Sequence, residues 1–255
     1  MEKIKQITWL LIMALITEVA FAQVNQVDAK GRKQGAWQKT YPNIRAYEYK
    51  GQFKDDKPVG TFTYYYPSTK VKAIVKHDEN SNRSASYMYH EGGTLLAFGI
   101  YRNQKKDSVW THFGPSGRLS FKETYKDGQL NGTKTIYYVP ENVNDRSEKV
   151  AKVMNYKNGK ENGEVIEYFD FGGIKSRSTY LDGQRHGLCV TNHTNGQPMI
   201  QERYKFGIRN GYSMAFDESG KEIGRKYYRM GSLLEGEALD KWLEECKKKG
   251  VNPNN

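Results

Sequence analysis

Along "RLSFKETY", residues 118–125, Leu119, Phe121 and Tyr125 alternate with polar Ser120, Lys122 and Thr124. A period of two is the signature of a strand with one buried face. "LLAFGIY" and "GIKSRSTY" run in the same register to Tyr101 and Tyr180. The tyrosine that ends each run is therefore expected in the core.

The residues just after those tyrosines recur as well. "YKNGKENG" at 156–163 returns as "YKDGQLNG" from Tyr125, "YLDGQRHG" from Tyr180 and "YKFGIRNG" from Tyr204. Taking the first residue as an anchor, Asp28, Phe53, His77, Tyr101, Tyr125, Tyr156, Tyr180, Tyr204 and Tyr227 occupy equivalent places, spaced 25, 24, 24, 24, 31, 24, 24 and 23. A fixed period of this size predicts a repeat array. Three residues after the anchor come Gly31, Gly128, Gly159, Gly183 and Gly207, with Asp56 and Asn80 in two copies; seven after it come Gly35, Gly60, Gly132, Gly163, Gly187 and Gly211. Paired positions that tolerate positive φ are what a reversal between antiparallel strands requires.

An aromatic recurs twelve after the anchor, as Tyr65, Tyr89, Phe113, Tyr137, Tyr168 and Phe216, and Trp37, Phe62, Trp110, Val165 and Cys189 stand nine after it. A second turn at plus sixteen is marked by Gly93, Gly117, Gly196 and Gly220, with Gly173 expected one place late. Each unit thus reads strand, turn, strand, turn. One hairpin cannot bury its own face, so neighbours must stack. The expected fold is all-β: an extended single-layer antiparallel sheet of about eight β-hairpin repeats over 23–234. At ~4.8 Å per strand such a sheet extends roughly 75 to 80 Å. The 31-residue interval places its extra residues in a polar surface loop at 139–149. After the array, Ala238, Leu239, Trp242, Leu243 and Cys246 share one helical face; this predicts a C-terminal amphipathic helix over 235–250 that caps the sheet, with a tail at 251–255.

Composition narrows the class. A 37% hydrophobic content and mean hydropathy of -0.84 are low for a conventional core, yet 19 tyrosines argue against disorder. Residues 1–22 read as an export signal: Lys3 and Lys5, the apolar run "ITWLLIMALI", and a small-x-small site that predicts cleavage after Ala22. The run is too short for a permanent membrane span, and no second one follows, so a periplasmic or secreted product is expected. Cys189 and Cys246 exclude a disulfide framework and leave at most one bridge. The formal charge of +11 persists without the signal. Outside the cell such a surface meets anionic lipid, acidic glycan or an acidic protein rather than nucleic acid, or it simply keeps strand edges soluble.

The tyrosine-x-x-glycine turn, the glycine at plus seven and the aromatic at plus twelve resemble the bacterial MORN-type repeat variant of YwqK-family antitoxins, over about 28–231. The resemblance implies a β-hairpin scaffold used in protein or membrane association, and the antitoxin label implies neutralisation of a partner toxin. It supplies no catalytic or ligand residue.

No HExxH, GxSxG, P-loop or CxxC occurs, and no catalytic, cofactor or metal site is expected. His186 and His193 are near enough in sequence to suggest a shared ion, but no third ligand is apparent. Cys189 stands where other units place core residues, so packing is its expected role. Tyr64 and Tyr66 in "TFTYYYP", extended by Tyr87 and Tyr138, form a candidate ligand-facing aromatic strip. The expected function is a non-enzymatic envelope scaffold that binds another protein. Binding of anionic lipid or glycan, or of a toxin, stands as the alternative.

Overall fold

The computed structural model describes residues 23–140, 142, 144, 145 and 147–254. The expected export signal lies outside these. The described residues form a single 20-stranded sheet and one helix. The first strands are β1 (Gln26–Val27), β2 (Lys33–Thr40), β3 (Tyr47–Lys54), β4 (Lys57–Tyr65), β5 (Val71–His77), β6 (Arg83–Tyr89), β7 (Leu95–Arg102), β8 (Lys105–Phe113), β9 (Leu119–Lys126) and β10 (Gln129–Tyr137). They continue as β11 (Val150–Lys157), β12 (Lys160–Tyr168), β13 (Ile174–Leu181), β14 (Gln184–Arg185), β15 (Gly187–Asn192), β16 (Pro198–Lys205), β17 (Ile208–Arg209), β18 (Gly211–Phe216), β19 (Glu222–Arg229) and β20 (Ser232–Leu234). Each strand pairs antiparallel with its neighbours in chain order, β14 with β15 and β17 with β18 acting as single interrupted strands. The expected open meander of hairpins is what forms.

The repeated phrase is the joint of this meander. Lys126 pairs with Gln129 around a two-residue turn in which Asp127 has φ 52 and Gly128 φ 85. Positive φ at both positions is the type I′ turn, whose twist matches that of the strands it joins. Asn158–Gly159, Asp182–Gly183 and Phe206–Gly207 repeat it. The second turn residue also ties units together: the Gly128 N–H donates to the Lys106 carbonyl at 2.9 Å, Gly159 to Leu130, Gly183 to Glu161 and Gly207 to Arg185, each at 2.8 Å. The glycine at plus seven sits at a bulge opposite the next anchor, as Gly132 faces Tyr156, Gly163 faces Tyr180 and Gly187 faces Tyr204.

Register corrects three sequence assignments. Gly211 faces Tyr228, so Tyr228 rather than Tyr227 is the last anchor, and the last interval equals the usual 24. Gly172, with φ 99, is the left-handed residue of its turn, not Gly173. Asn80 is not among the positive-φ residues, because β5 and β6 are joined by a longer loop.

The core is one residue thick and lies on the face that carries the anchors. Two rings nine after an anchor, Phe62 and Trp110, are 2% and 0% exposed. Each lies flat on a glycine two before the same anchor: a Cβ at Gly51 would collide with the Phe62 ring, and one at Gly99 with the Trp110 indole. Elsewhere the same two positions hold Met154 with Val165, Ser178 with Cys189, and Glu123 with Lys134, whose carboxylate and ammonium meet at 2.7 Å. Side-chain size or charge is thus matched in these units.

Helix α1 (Gly236–Lys249) ends at Gly250 in the left-handed region, with the Val251 N–H donating to the Cys246 carbonyl at 3.0 Å. It folds over a face rather than along the open edge. Trp242 Nε1 donates to the Tyr227 hydroxyl at 2.7 Å, Arg229 stacks on the indole at 3.8 Å, and the Tyr227 hydroxyl donates to the Pro253 carbonyl. Tyr227 is 1% exposed because the helix and tail cover it. Cys189 and Cys246 are both buried free thiols. Between β10 and β11 the insertion is held by Arg118, whose guanidinium donates to the carbonyls of Pro140 at 2.5 Å and Asn142 at 2.6 Å.

Candidate functional site

The unit anchored at His77 departs from the others in its turn. Between β5 and β6 the two-residue turn is replaced by the loop Asp78–Asn82, and the pairing from His77 with Ser84 to Ala73 with Met88 runs without a bulge. Ser84 stands where most units have glycine, and Ser86 where the flanking units carry Phe62 and Trp110. The strand partner of Ser86 is Val75 rather than glycine. Ser86 is nevertheless 1% exposed, since its other strand partner is Gly99, over which the Trp110 indole lies.

An open depression of ≈ 480 Å³ lies beside it on the anchor face. Ala73, Val75 and Ser86 form its floor, with Tyr64, Met88 and Tyr101 around them and Glu48 and Lys72 also lining it. His77 sits edge-on to Phe62 at 5.2 Å, and its Nδ1 hydrogen-bonds Ser84 Oγ at 2.8 Å. Its Nε2 is buried without a partner, as is Ser86 Oγ, on a residue only 1% exposed. Such orphaned polar atoms are costly and rare in folded proteins. Burial lowers the His77 pKa and raises those of Tyr64 and Tyr101, so imidazole and phenols are held neutral. The Ser84 hydroxyl beside His77 has the pairing of a nucleophile and base, with no third group on Nε2.

The candidate aromatic strip does not assemble. Tyr64 lines the depression, whereas Tyr87 follows Ser86 on the opposite face, where it stacks on Phe98 at 6.4 Å and Phe98 on Phe113 at 6.1 Å. The Tyr66 hydroxyl donates to the Tyr89 carbonyl at 2.8 Å, and Tyr138 to that of Tyr168 at 2.6 Å. These two are ties to the next unit. Tyr41, His90 and His193 make the same bond, to the carbonyls of Tyr65, Phe113 and Phe216. All five lie thirteen after an anchor, a recurrence that the alternation pattern does not reveal although the spacing alone contains it. His193 is thereby occupied, and His186 packs against Phe206 at 5.0 Å. Among the described residues no group of three or more metal-ligating side chains occurs.

The framework tyrosines serve as platforms. Lys33, Lys106, Arg185 and Arg209, each five after an anchor, lie over the next anchor ring, Phe53, Tyr125, Tyr204 and Tyr228, at 4.7, 4.7, 5.5 and 5.3 Å. Around Glu123, 7% exposed, Lys134 Nζ approaches to 2.7 Å and the Tyr125 hydroxyl donates at 2.8 Å. Burial opposes its charge, but these two bonds outweigh burial and hold the carboxylate pKa low, while burial and the carboxylate push Tyr125 up to about 12. This network fills the ring position of its unit with a satisfied ion pair. The unit anchored at Tyr204 departs as well, with Glu202 and Ser213 at the same two positions. The chain matches no family model and no curated protein sequence.

Proposed function

We propose that this chain is an exported, non-enzymatic scaffold of the bacterial MORN-type repeat kind that associates with another protein of the cell envelope. The observation that carries the reading is the exposed pair Tyr87–Phe98, continued by the half-buried Phe113. Tyr87 and Phe98 are 37% and 39% exposed, and no repeat joint uses them. Stacked aromatics on a rigid sheet supply contact area at low entropic cost, as protein interfaces favour. The alternative, an anionic lipid or glycan, rests on the formal charge of +11. A toxin is one member of the partner class, named only by the family resemblance.

The test is a pull-down from envelope extract with residues 23–255, at low and high salt, in wild type and in the Tyr87→Ser/Phe98→Ser variant. One protein retained at both salts and lost by the variant is the expected result. Retention of lipid or glycan alone, released by salt, overturns the reading, since counter-ion-driven binding fades with ionic strength.

A further inference from the structure

Seven of the anchor turns are two-residue reversals. In five of them the first left-handed position holds Asp or Asn: Asp55, Asn103, Asp127, Asn158 and Asp182, at φ 49 to 53. In the last two it holds Phe206 and Met230, both at φ 49. A bulky apolar side chain is an outlier there, because it lacks the short polar group with which Asp and Asn offset the crowding. Neither residue fills the core: Phe206 packs on the His186 ring at 5.0 Å yet is 52% exposed, and Met230 is 66% exposed. The two turns are neighbours and are held in place by their backbones. Gly207 N–H donates to the Arg185 carbonyl at 2.8 Å, Gly231 N–H to that of Arg209 at 2.9 Å, and Met230 N–H to Asn210 Oδ1 at 3.1 Å. Ile208, 44% exposed, lies between them, since a Cβ on Gly231 would stand 3.2 Å from its Cγ2.

The geometry points to an apolar edge, built from the last two turns, that enters the surface of an anionic bilayer. It lies apart from the Tyr87–Phe98 pair and gives the scaffold a second surface of attachment. Three observations select lipid. The side chains project from turn tips, and a bilayer receives a projecting tip without a matching pocket. With Leu233, 41% exposed, beside Phe206, Ile208 and Met230, the apolar group numbers four side chains, whereas a stable protein interface takes about 20–30 residues a side. Cations flank the group. Over the turns at 156–160, 180–184, 204–208 and 228–232 stand Lys157, Lys160 and Lys205, with Arg229 over the Trp242 indole, against a single acid, Asp182. Two copies joined through this edge would set those cations against each other. At a membrane the long basic side chains reach the lipid phosphates while the tips enter the boundary of the acyl chains.

The test floats the chain from residue 23 onward with vesicles of phosphatidylethanolamine and phosphatidylglycerol in equal parts, and with vesicles of phosphatidylcholine alone. Flotation with the anionic vesicles is expected, and little with phosphatidylcholine. The variant Phe206→Asn/Met230→Asn installs the residue that the same turn position carries at Asn103 and Asn158, so the fold is kept. Its affinity for the anionic vesicles is expected to fall about tenfold or more. Cys189 and Cys246 are buried, so a fluorescent label can be directed to the Met230→Cys variant or, on the other long edge, to Ile44→Cys. A blue shift on the anionic vesicles is expected from the label at 230 and not from the one at 44. Unchanged affinity of the asparagine variant, equal flotation with phosphatidylcholine, or a blue shift at 44 alone each overturn the proposal. So does a wild-type dimer in sedimentation that the asparagine variant abolishes, which would assign the edge to a second copy. If flotation fails while the pull-down partner is retained, the edge proposal falls and the scaffold reading stands.

Discussion

Gly99 is held small by Trp110: a Cβ there would strike the indole, which is itself fully buried and donates Nε1–H to the Ile100 carbonyl at 3.1 Å. Gly224 occupies the same sheet face, yet a Cβ on it meets nothing within 4 Å. Overpacking a filled site costs about 1–3 kcal/mol, whereas alanine at an open, non-left-handed position changes stability by roughly 0.5 kcal/mol or less. Gly99→Ala is therefore expected to lower the urea midpoint clearly and Gly224→Ala hardly at all. Equal midpoints for the two would remove size matching as the reason for these glycines. The pairing of a glycine two before the anchor with a ring nine after it is present in the sequence, at Gly51–Phe62 and Gly99–Trp110, but is not legible there. The two positions lie on different strands, and only the ladder register shows that they face each other.

Elements are legible to the degree that backbone geometry restricts their residues. Turns at Asp127–Gly128 and its copies require positive φ, and few residue types supply it, so they can be recognised and counted. Alternation within a strand is equally readable. What alternation cannot carry is a face assignment across strands: bulges at Tyr64/Tyr65 and Met88/Tyr89 break the register just where the candidate strip falls. Tyr64 pairs with Ala73 and Tyr87 with the next residue, Ile74, so plain register already sets these two on opposite faces, while Tyr66, past the bulge, is a tie. The helix forms where its periodicity predicts, but its covering of Tyr227 instead of the sheet edge comes from the tail, whose Asn254 Oδ1 accepts from the Tyr212 N–H at 3.2 Å. Cys246, 2% exposed on that helix, reports on this docking. Trp242→Ala removes the bond to Tyr227 and the contact with Arg229. Its expected effect is rapid labelling of Cys246 by a thiol reagent under native conditions, with Cys189 still protected by the sheet. Simultaneous labelling of both thiols would mean that the helix and the array unfold together.

An array in which each unit touches only its neighbours distributes stability locally, and this determines how the molecule answers acid. His77 and His112 belong to adjoining units. Burial lowers both pKa values from the ordinary 6.5, with Lys106 and Lys134 adding to the effect at His112 and Glu123 opposing it. The unfolded chain therefore takes up protons that the fold refuses, and stability from this source is present above 6.5 and lost as pH falls from there towards the folded values. Glu123 is shifted the other way: its lowered pKa gives stability present above 4.5 and lost as pH falls below it, a separate and more acidic window. In a globular core the first loss would loosen the whole molecule. Here the amides of β5–β8 are expected to lose hydrogen-exchange protection first on moving just below pH 6.5, while β12–β16 keep theirs. The variant His77→Gln/His112→Gln should flatten that local response without altering the acidic one. Uniform loss of protection along the sheet would show that the ribbon unfolds as one unit. An unchanged response in the double variant would place its cause away from these histidines. Local loss, in contrast, would make the units anchored at His77 and Tyr101 the place where this array opens most readily.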